Sequence, residues 1–252
     1  MKIESSGCSD VGKVRENNED SYLIEEARGL YLVADGMGGH LGGKTASTMA
    51  VKTILEAVEE QYAELVEEAR AEPVESSMLP RLLADAIRKA CSTIFERAAA
   101  DPELRGMGTT VTAMLVLEGR AFVAHVGDSR CYLYRDQGVT QVTDDHSLVN
   151  EQIKAGILTE EQAAESHLKN IITRSVGFER DVSVDTLILS LQEGDRFLLC
   201  SDGLSNLVND AEIGEALGAM ALESVPESMV QLANDRGGDD NITVVCLSIE
   251  PQ

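Results

Sequence analysis

The chain contains no tryptophan, and aromatic residues make up only 4% of its 252 positions. Its core must therefore be mostly aliphatic, and a hydrophobic content of 43% is enough to bury a sizeable one. Basic residues are also scarce, with 21 Lys and Arg against 44 Asp and Glu and a formal charge of −23. Nucleic acids and anionic membranes demand a cationic surface, so neither is expected as a partner. A site that holds cations, or a basic protein partner, fits the charge better. No apolar run approaches the length of a membrane span. The opening MKIESSGCSD also lacks the apolar segment of a signal peptide. Cys8, Cys91, Cys131, Cys200 and Cys246 are scattered, with no CxxC and no histidine at zinc spacing. An odd number of isolated thiols points to free, buried cysteines and a reducing compartment, hence a cytoplasmic protein.

Two long segments have helical spacing. Over 42–70, Ala46, Met49, Ala50, Ile54, Ala57 and Val58 recur on one face, with glutamates opposite. Over 79–100, Leu83, Ala86, Ile87, Ala90 and Ile94 do the same, and Asp101-Pro102 ends the run. Short strands are expected at 21–24, 30–33, 109–117, 120–126, 130–134, 183–189, 196–200 and 241–249. Shorter helices are expected near 148–155, 159–165, 210–217 and 226–234. Helices set between runs of strands, with no repeat and no linker, indicate an α+β sandwich forming one domain over 1–252.

The strand ends carry the chemistry. YLVADG ends an apolar run on Asp35, and RFLLCSDG repeats the design at Asp202. NNEDSYLI places Glu19 and Asp20 just before a strand, and GGDDNITVV does so with Asp239 and Asp240. Asp128 occupies the turn of FVAHVGDSR. A hairpin turning near Ala27-Arg28 pairs residues whose numbers sum to 55, which sets Asp20 opposite Asp35. Converging carboxylates repel one another unless a cation joins them. A set of oxygen donors alone favours Mg(II) or Mn(II) over Zn(II). Each Asp-Gly taken singly is as well explained by a turn. The pattern by itself leaves turn and metal site level.

The ordered stretches SDVGKVRENNEDSY, VADGMGGH, MGTTVTAMLV, AHVGDSRCYLY, DDHSLV, CSDGL and GGDDNITVVCL span nearly the whole chain. In this order they resemble the bacterial branch of the metal-dependent protein phosphatases, the PPM or type 2C family. The resemblance implies a four-layer α-β-β-α sandwich of two mainly antiparallel sheets flanked by helices. It implies hydrolysis of phosphoserine and phosphothreonine in proteins by a metal-activated water, with Mn(II) or Mg(II) as two ions and a third in bacterial relatives. By the same resemblance Asp35 would bridge the metals, Gly36 would give its carbonyl, and Asp202 and Asp240 would ligate directly. Asp20 would act through metal-bound water, and Asp128 matches the third-metal position. Glu19 and Asp239 would stand behind these ligands. Arg15 would fork the phosphate oxygens. Where many relatives outside bacteria have a histidine this chain has Met37, so His40 is the candidate general acid. Residues 143–177 resemble the flap beside the site. Expected partners are phosphorylated proteins, including a cognate Ser/Thr kinase or its targets.

Three rival readings fare worse. An aspartyl-phosphate enzyme needs a nucleophile motif that DGMGG does not supply. A dinucleotide fold needs alternating βαβ units. A weakly catalytic phosphoprotein-binding module of the same fold would be expected to have lost ligands, and here every metal position is filled.

Overall fold

The computed structural model describes residues 2–38, 41–71, 79–164 and 166–251. His40 therefore lies outside the described residues.

One sheet contains β2 (Ser21–Glu25), β3 (Leu30–Ala34), β6 (Val111–Leu117), β7 (Arg120–Val126) and β10 (Asp185–Ser190), in the order β10-β7-β6-β3-β2. The other contains β1 (Lys2–Asp10), β8 (Arg130–Arg135), β9 (Gly138–Gln141), β11 (Arg196–Cys200) and β12 (Ile242–Glu250), in the order β1-β12-β11-β8-β9. All their pairings are antiparallel. A two-residue pair, β4 (Gly36–Met37) with β5 (Gly108–Thr109), sits beside them.

Alternation along the strands builds the layers. Leu30 and Leu32 of β3 pack outward with Ile54 of α1 (Gly42–Ala71) and Ile87 of α2 (Leu79–Ala100). Tyr31 and Val33 point the other way and meet Phe197 and Leu199 of β11 and Val245 of β12 between the sheets. On the far side Leu198, Val244 and Cys246 pack against α6 (Asp210–Ala219) and α7 (Val225–Asp235), with Leu204 of the short α5 (Asp202–Ser205). The result is the expected α-β-β-α sandwich.

The β2–β3 hairpin has the predicted register, with Ser21 opposite Ala34 and Tyr22 opposite Val33. Its turn closes through Gly29 at φ +63, where a side chain would press on the Val116 carbonyl. Three strands were not expected from the sequence. β1 is a mostly polar edge strand with no apolar alternation, β9 is a four-residue edge strand, and β4 is two residues long. Nor was α5, since RFLLCSDG reads as a strand ending at Asp202, whereas Asp202 opens a helix.

Residues 143–177 carry α3 (Leu148–Lys154) and α4 (Glu160–Ala164). Their root is fastened to the sandwich. His146 donates its backbone N–H to the Gly127 carbonyl at 2.7 Å, and its Nδ1 accepts from the Gly127 N–H at 3.0 Å. Arg174 reaches Asp185 at 2.7 Å.

Candidate active site

The hairpin register brings Asp20 and Asp35 to the same end of their sheet. β11 and β12 deliver Asp202 and Asp240 to the same rim, and the β7–β8 turn adds Asp128. The fields of Asp20, Asp202, Asp128 and Asp240 all reach Asp35.

Asp20 is buried, and its Oδ2 accepts from Ser201 Oγ at 2.8 Å and Thr243 Oγ1 at 2.6 Å. The Thr243 hydroxyl is approached at 2.7 Å by that of Ser9, which accepts from Asn18 Nδ2 at 2.9 Å. With Thr243 donating to Asp20, the Ser9 proton has to point at Thr243. The chain of donors thus runs in one direction and ends on the carboxylate. Asp202 Oδ2 accepts from Asn206 Nδ2 at 3.0 Å. Oδ1 of Asp20, of Asp128 and of Asp202 is buried without a hydrogen-bond partner.

These orphaned oxygens raise the carboxyl pKa values. Burial, against the hydrogen bonds from Thr243 and Ser201, pushes Asp20 up to about 6, with Asp202 and Asp240 adding to it. Burial and then the charges of Asp202 and Asp145 push Asp128 to about 8. Asp35 is raised well above the usual range by burial and by Asp20, and Asp202 is raised by burial and by Asp240. Without a cation, burial and mutual repulsion favour the protonated form of each of these carboxyls. The donor set fits a hard divalent ion, because buried acceptors lacking donors are what such an ion satisfies. Among the described residues no group of three or more His, Cys, Asp or Glu forms a closed single-ion cage. Mg(II)-type sites use one or two carboxylates, carbonyls and water, and do not require one.

The glycines beside Asp35 have a structural reason. A Cβ on Gly36 would lie 2.2 Å from the Gly43 carbonyl oxygen and 2.6 Å from that of Glu19. One on Gly43 would lie 2.5 Å from Glu19 Oε2, so the first turn of α1 and the Glu19 carboxylate close on this backbone. Gly38, at φ +132, abuts Met107. Asp239 is exposed, with its carboxylate lying over Gly237. Arg15 is exposed and its Nη2 donates to Asp240 Oδ2 at 2.7 Å. Partial burial works against its charge, but the fields of Asp240, Asp202 and Asp35 outweigh that.

Residues 13–242 match the family model described as Protein phosphatase 2C. The chain belongs to that family. Among curated 2C-type relatives it is similar to the serine/threonine phosphatase stp of Listeria innocua. The two are 38% identical over 241 residues, covering 94% of this chain and 92% of the relative. Among solved structures it superposes on the serine/threonine phosphatase PstP/Ppp of Mycobacterium tuberculosis with a TM-score of 0.86 and 35% identity, covering 99% of each chain. A PstP catalytic domain in complex with two manganese ions aligns at a TM-score of 0.81 and 36% identity, again covering 99% of each chain.

The supporting groups of this 2C-type rim escaped the sequence reading. Ser201 and Thr243 hold Asp20, and Asn241 fastens the 11–19 segment. Lys44 Nζ donates to the Asp20 carbonyl at 2.6 Å. A signal existed for two of them: Thr243 interrupts the apolar run ITVVC, and Ser201 separates the run FLLC from Asp202.

Proposed function

We propose that the acidic rim is the phosphatase centre of this chain. Family membership makes the protein a metal-dependent phosphatase acting on phosphoserine and phosphothreonine in proteins, with phosphoproteins as substrates. The observation that carries the assignment to the rim is the set of unpartnered buried oxygens on Asp20, Asp128 and Asp202 around Asp35. A module that only bound phosphoproteins would have no use for them.

In this reading Asp35, Asp202, Asp240 and the Gly36 carbonyl hold two ions of Mn(II) or Mg(II), Asp20 acts through water, and Asp128 takes part in holding a third. Bound there, the ions supply Lewis-acid activation of water and charge neutralisation for in-line attack on phosphorus. The protein's own groups do the rest. The Ser201 and Thr243 hydroxyls fix Asp20 in one orientation. Arg15 keeps one amino group on Asp240 and offers its remaining N–H donors to the phosphate oxygens. The departing seryl or threonyl oxygen needs a proton, and His40 is the candidate donor. Glu19 braces the first turn of α1 behind Gly36, and Asp239 stays at the turn before β12. The segment at 143–177 is the flap of a catalytic domain over 1–252. The cell supplies a cognate Ser/Thr kinase, or its targets, in the cytoplasm.

The test is hydrolysis of p-nitrophenyl phosphate and of a phosphothreonine peptide by protein stripped with chelator and then titrated with Mn(II). Activity should return with the metal, and Asp35→Asn should abolish it on both substrates. A fully active Asp35→Asn protein would remove the rim from the chemistry.

A further inference from the structure

The segment at 143–177 leaves a cavity of about 490 Å³ between itself and the α5–α6 end of the outer layer. That is well inside the size range of sites that enclose a ligand. Asp128 and Asp202 of the rim line it, together with Asp144, Asp145, Glu160 and Asp210. Among the described residues two cations, Arg130 and Lys169, line it against these six carboxylates, and Lys154 pairs with Asp144 at 2.9 Å. Arg130 is already committed, with Nε 3.0 Å and Nη2 2.7 Å from Asp145. Asp128, at 7% exposure, has an Oδ1 that nothing satisfies. Glu160, in the first turn of α4, is exposed and has no ion-pair partner among the described residues. Asp210 accepts from the Tyr132 hydroxyl at 3.0 Å, and its nearest cation is Arg130 Nη1 at 4.0 Å.

We propose that this cavity receives a lysine or arginine side chain that flanks the phosphorylated residue of the substrate. The enzyme thereby prefers phosphosites in basic surroundings. The inference rests on the phosphatase reading of the rim, since Asp128 and Asp202 belong to both. The cavity's other wall separates an organic cation from a bare metal ion. Val149, Ile153 and Ala163 line it with apolar surface, which suits the methylene stem of a long cationic side chain and is of no use to an ion. With Asp128 and Asp202 given to the rim, Asp145 to Arg130 and Asp144 to Lys154, the charges left over are those of Glu160 and Asp210, which draw basic segments toward the rim and repel acidic ones.

The test compares two phosphothreonine peptides that differ only in arginine or glutamine beside the phosphothreonine, with p-nitrophenyl phosphate alongside and Mn(II) throughout. Wild type should turn over the arginine peptide with a kcat/KM about tenfold higher, mostly through KM, and the gap should shrink as ionic strength rises. In the Glu160→Gln/Asp210→Asn double variant the ratio should fall close to one. Glu160→Gln alone, on an exposed side chain, should remove part of it. Equal turnover of both peptides while p-nitrophenyl phosphate is hydrolysed would overturn this inference and leave the phosphatase reading standing. So would a double variant that keeps the ratio but binds Mn(II) more weakly by calorimetry, because the cavity would then belong to an ion. Failure on p-nitrophenyl phosphate as well would overturn both.

Discussion

Strand β11 has a buried aspartate at one end and the acidic rim at the other. At its start Asp195 is 1% exposed, yet both its oxygens are met. Arg135 grips them through Nε at 2.7 Å and Nη2 at 2.6 Å, and the Gln192 N–H adds a bond at 2.8 Å. At its far end Asp20 is 2% exposed and Asp202 partly buried, and each keeps an oxygen without a donor. No basic side chain within ion-pair distance meets either of them among the described residues. Burial is common to Asp195 and Asp20, so burial does not mark the site. Unmet carboxylate oxygens do: among the described residues the buried ones without a partner belong to Asp20, Asp128 and Asp202. One end spends its carboxylate on holding the sheet, and the other keeps its carboxylates free for something that arrives.

The contrast can be broken by exchanging losses. Asp202→Ala should cost at least about 10³-fold in Mn(II)-dependent phosphatase activity, about 4 kcal/mol, while thermal unfolding of the metal-free protein stays level or rises as repulsion is relieved. Asp195→Ala should do the reverse. It removes the buried acceptor of a partly exposed Arg135 and of the Gln192 N–H, and should lower the unfolding free energy by about 2 kcal/mol in denaturant titrations, with activity per folded molecule kept. A stable but inactive Asp195→Ala protein would end the comparison.

A smaller effect sharpens it. Asp20 and Asp128 have folded-state pKa values raised to about 6 and about 8 by burial and neighbouring charge. An acid raised above its unfolded value binds its proton more tightly in the folded state. That contribution is complete below the unfolded value, near 4, and is lost as pH rises through the folded one. Chelator-treated protein should therefore lose stability between about pH 4 and pH 8. Asp128→Asn should flatten the upper part of that decline, and Mn(II) should offset the decline in wild type. Thermal melts across pH, with and without Mn(II), check this.

The smallest change is Thr243→Val, which removes one hydroxyl from Asp20. It should weaken Mn(II) binding by about tenfold in calorimetric titration, in the range expected when a group supporting a ligand is lost. Unchanged affinity would mean that Ser201 alone positions Asp20.

Much of this was legible in the sequence because two short apolar runs flank a short turn whose centre can be placed. Those features fix the register, and the register sets Asp20 beside Asp35. The long helices announced themselves through Ala46, Ala50 and Ile54 and through Leu83, Ile87 and Ile94. β1 and β9 were hidden because edge strands need no full apolar face. α5 was hidden because four residues are too few to show a period. The partner of Arg15 lies 225 residues away, a pairing that only the closed sandwich creates. The donors that hold Asp20 were harder still, since Thr243 within an apolar strand and Ser201 just past one show a hydroxyl out of place but not its acceptor.

Asn241 clasps the two ends of the sandwich. Its Nδ2 holds the carbonyls of Val11 and Asn17 at 2.9 and 3.0 Å, and its Oδ1 takes the Glu19 N–H at 2.8 Å. Asp20 takes one of its two hydroxyl supports from Thr243 of β12, 223 residues away. A nascent chain lacking that strand has most of its carboxylates but not the supports that Thr243 and Asn241 give them. Catalytic competence should therefore wait until β12 has paired between β1 and β11, a long-range closure that is slow by nature. A copy in which β12 has not yet paired is then unable to strip phosphates from its neighbours.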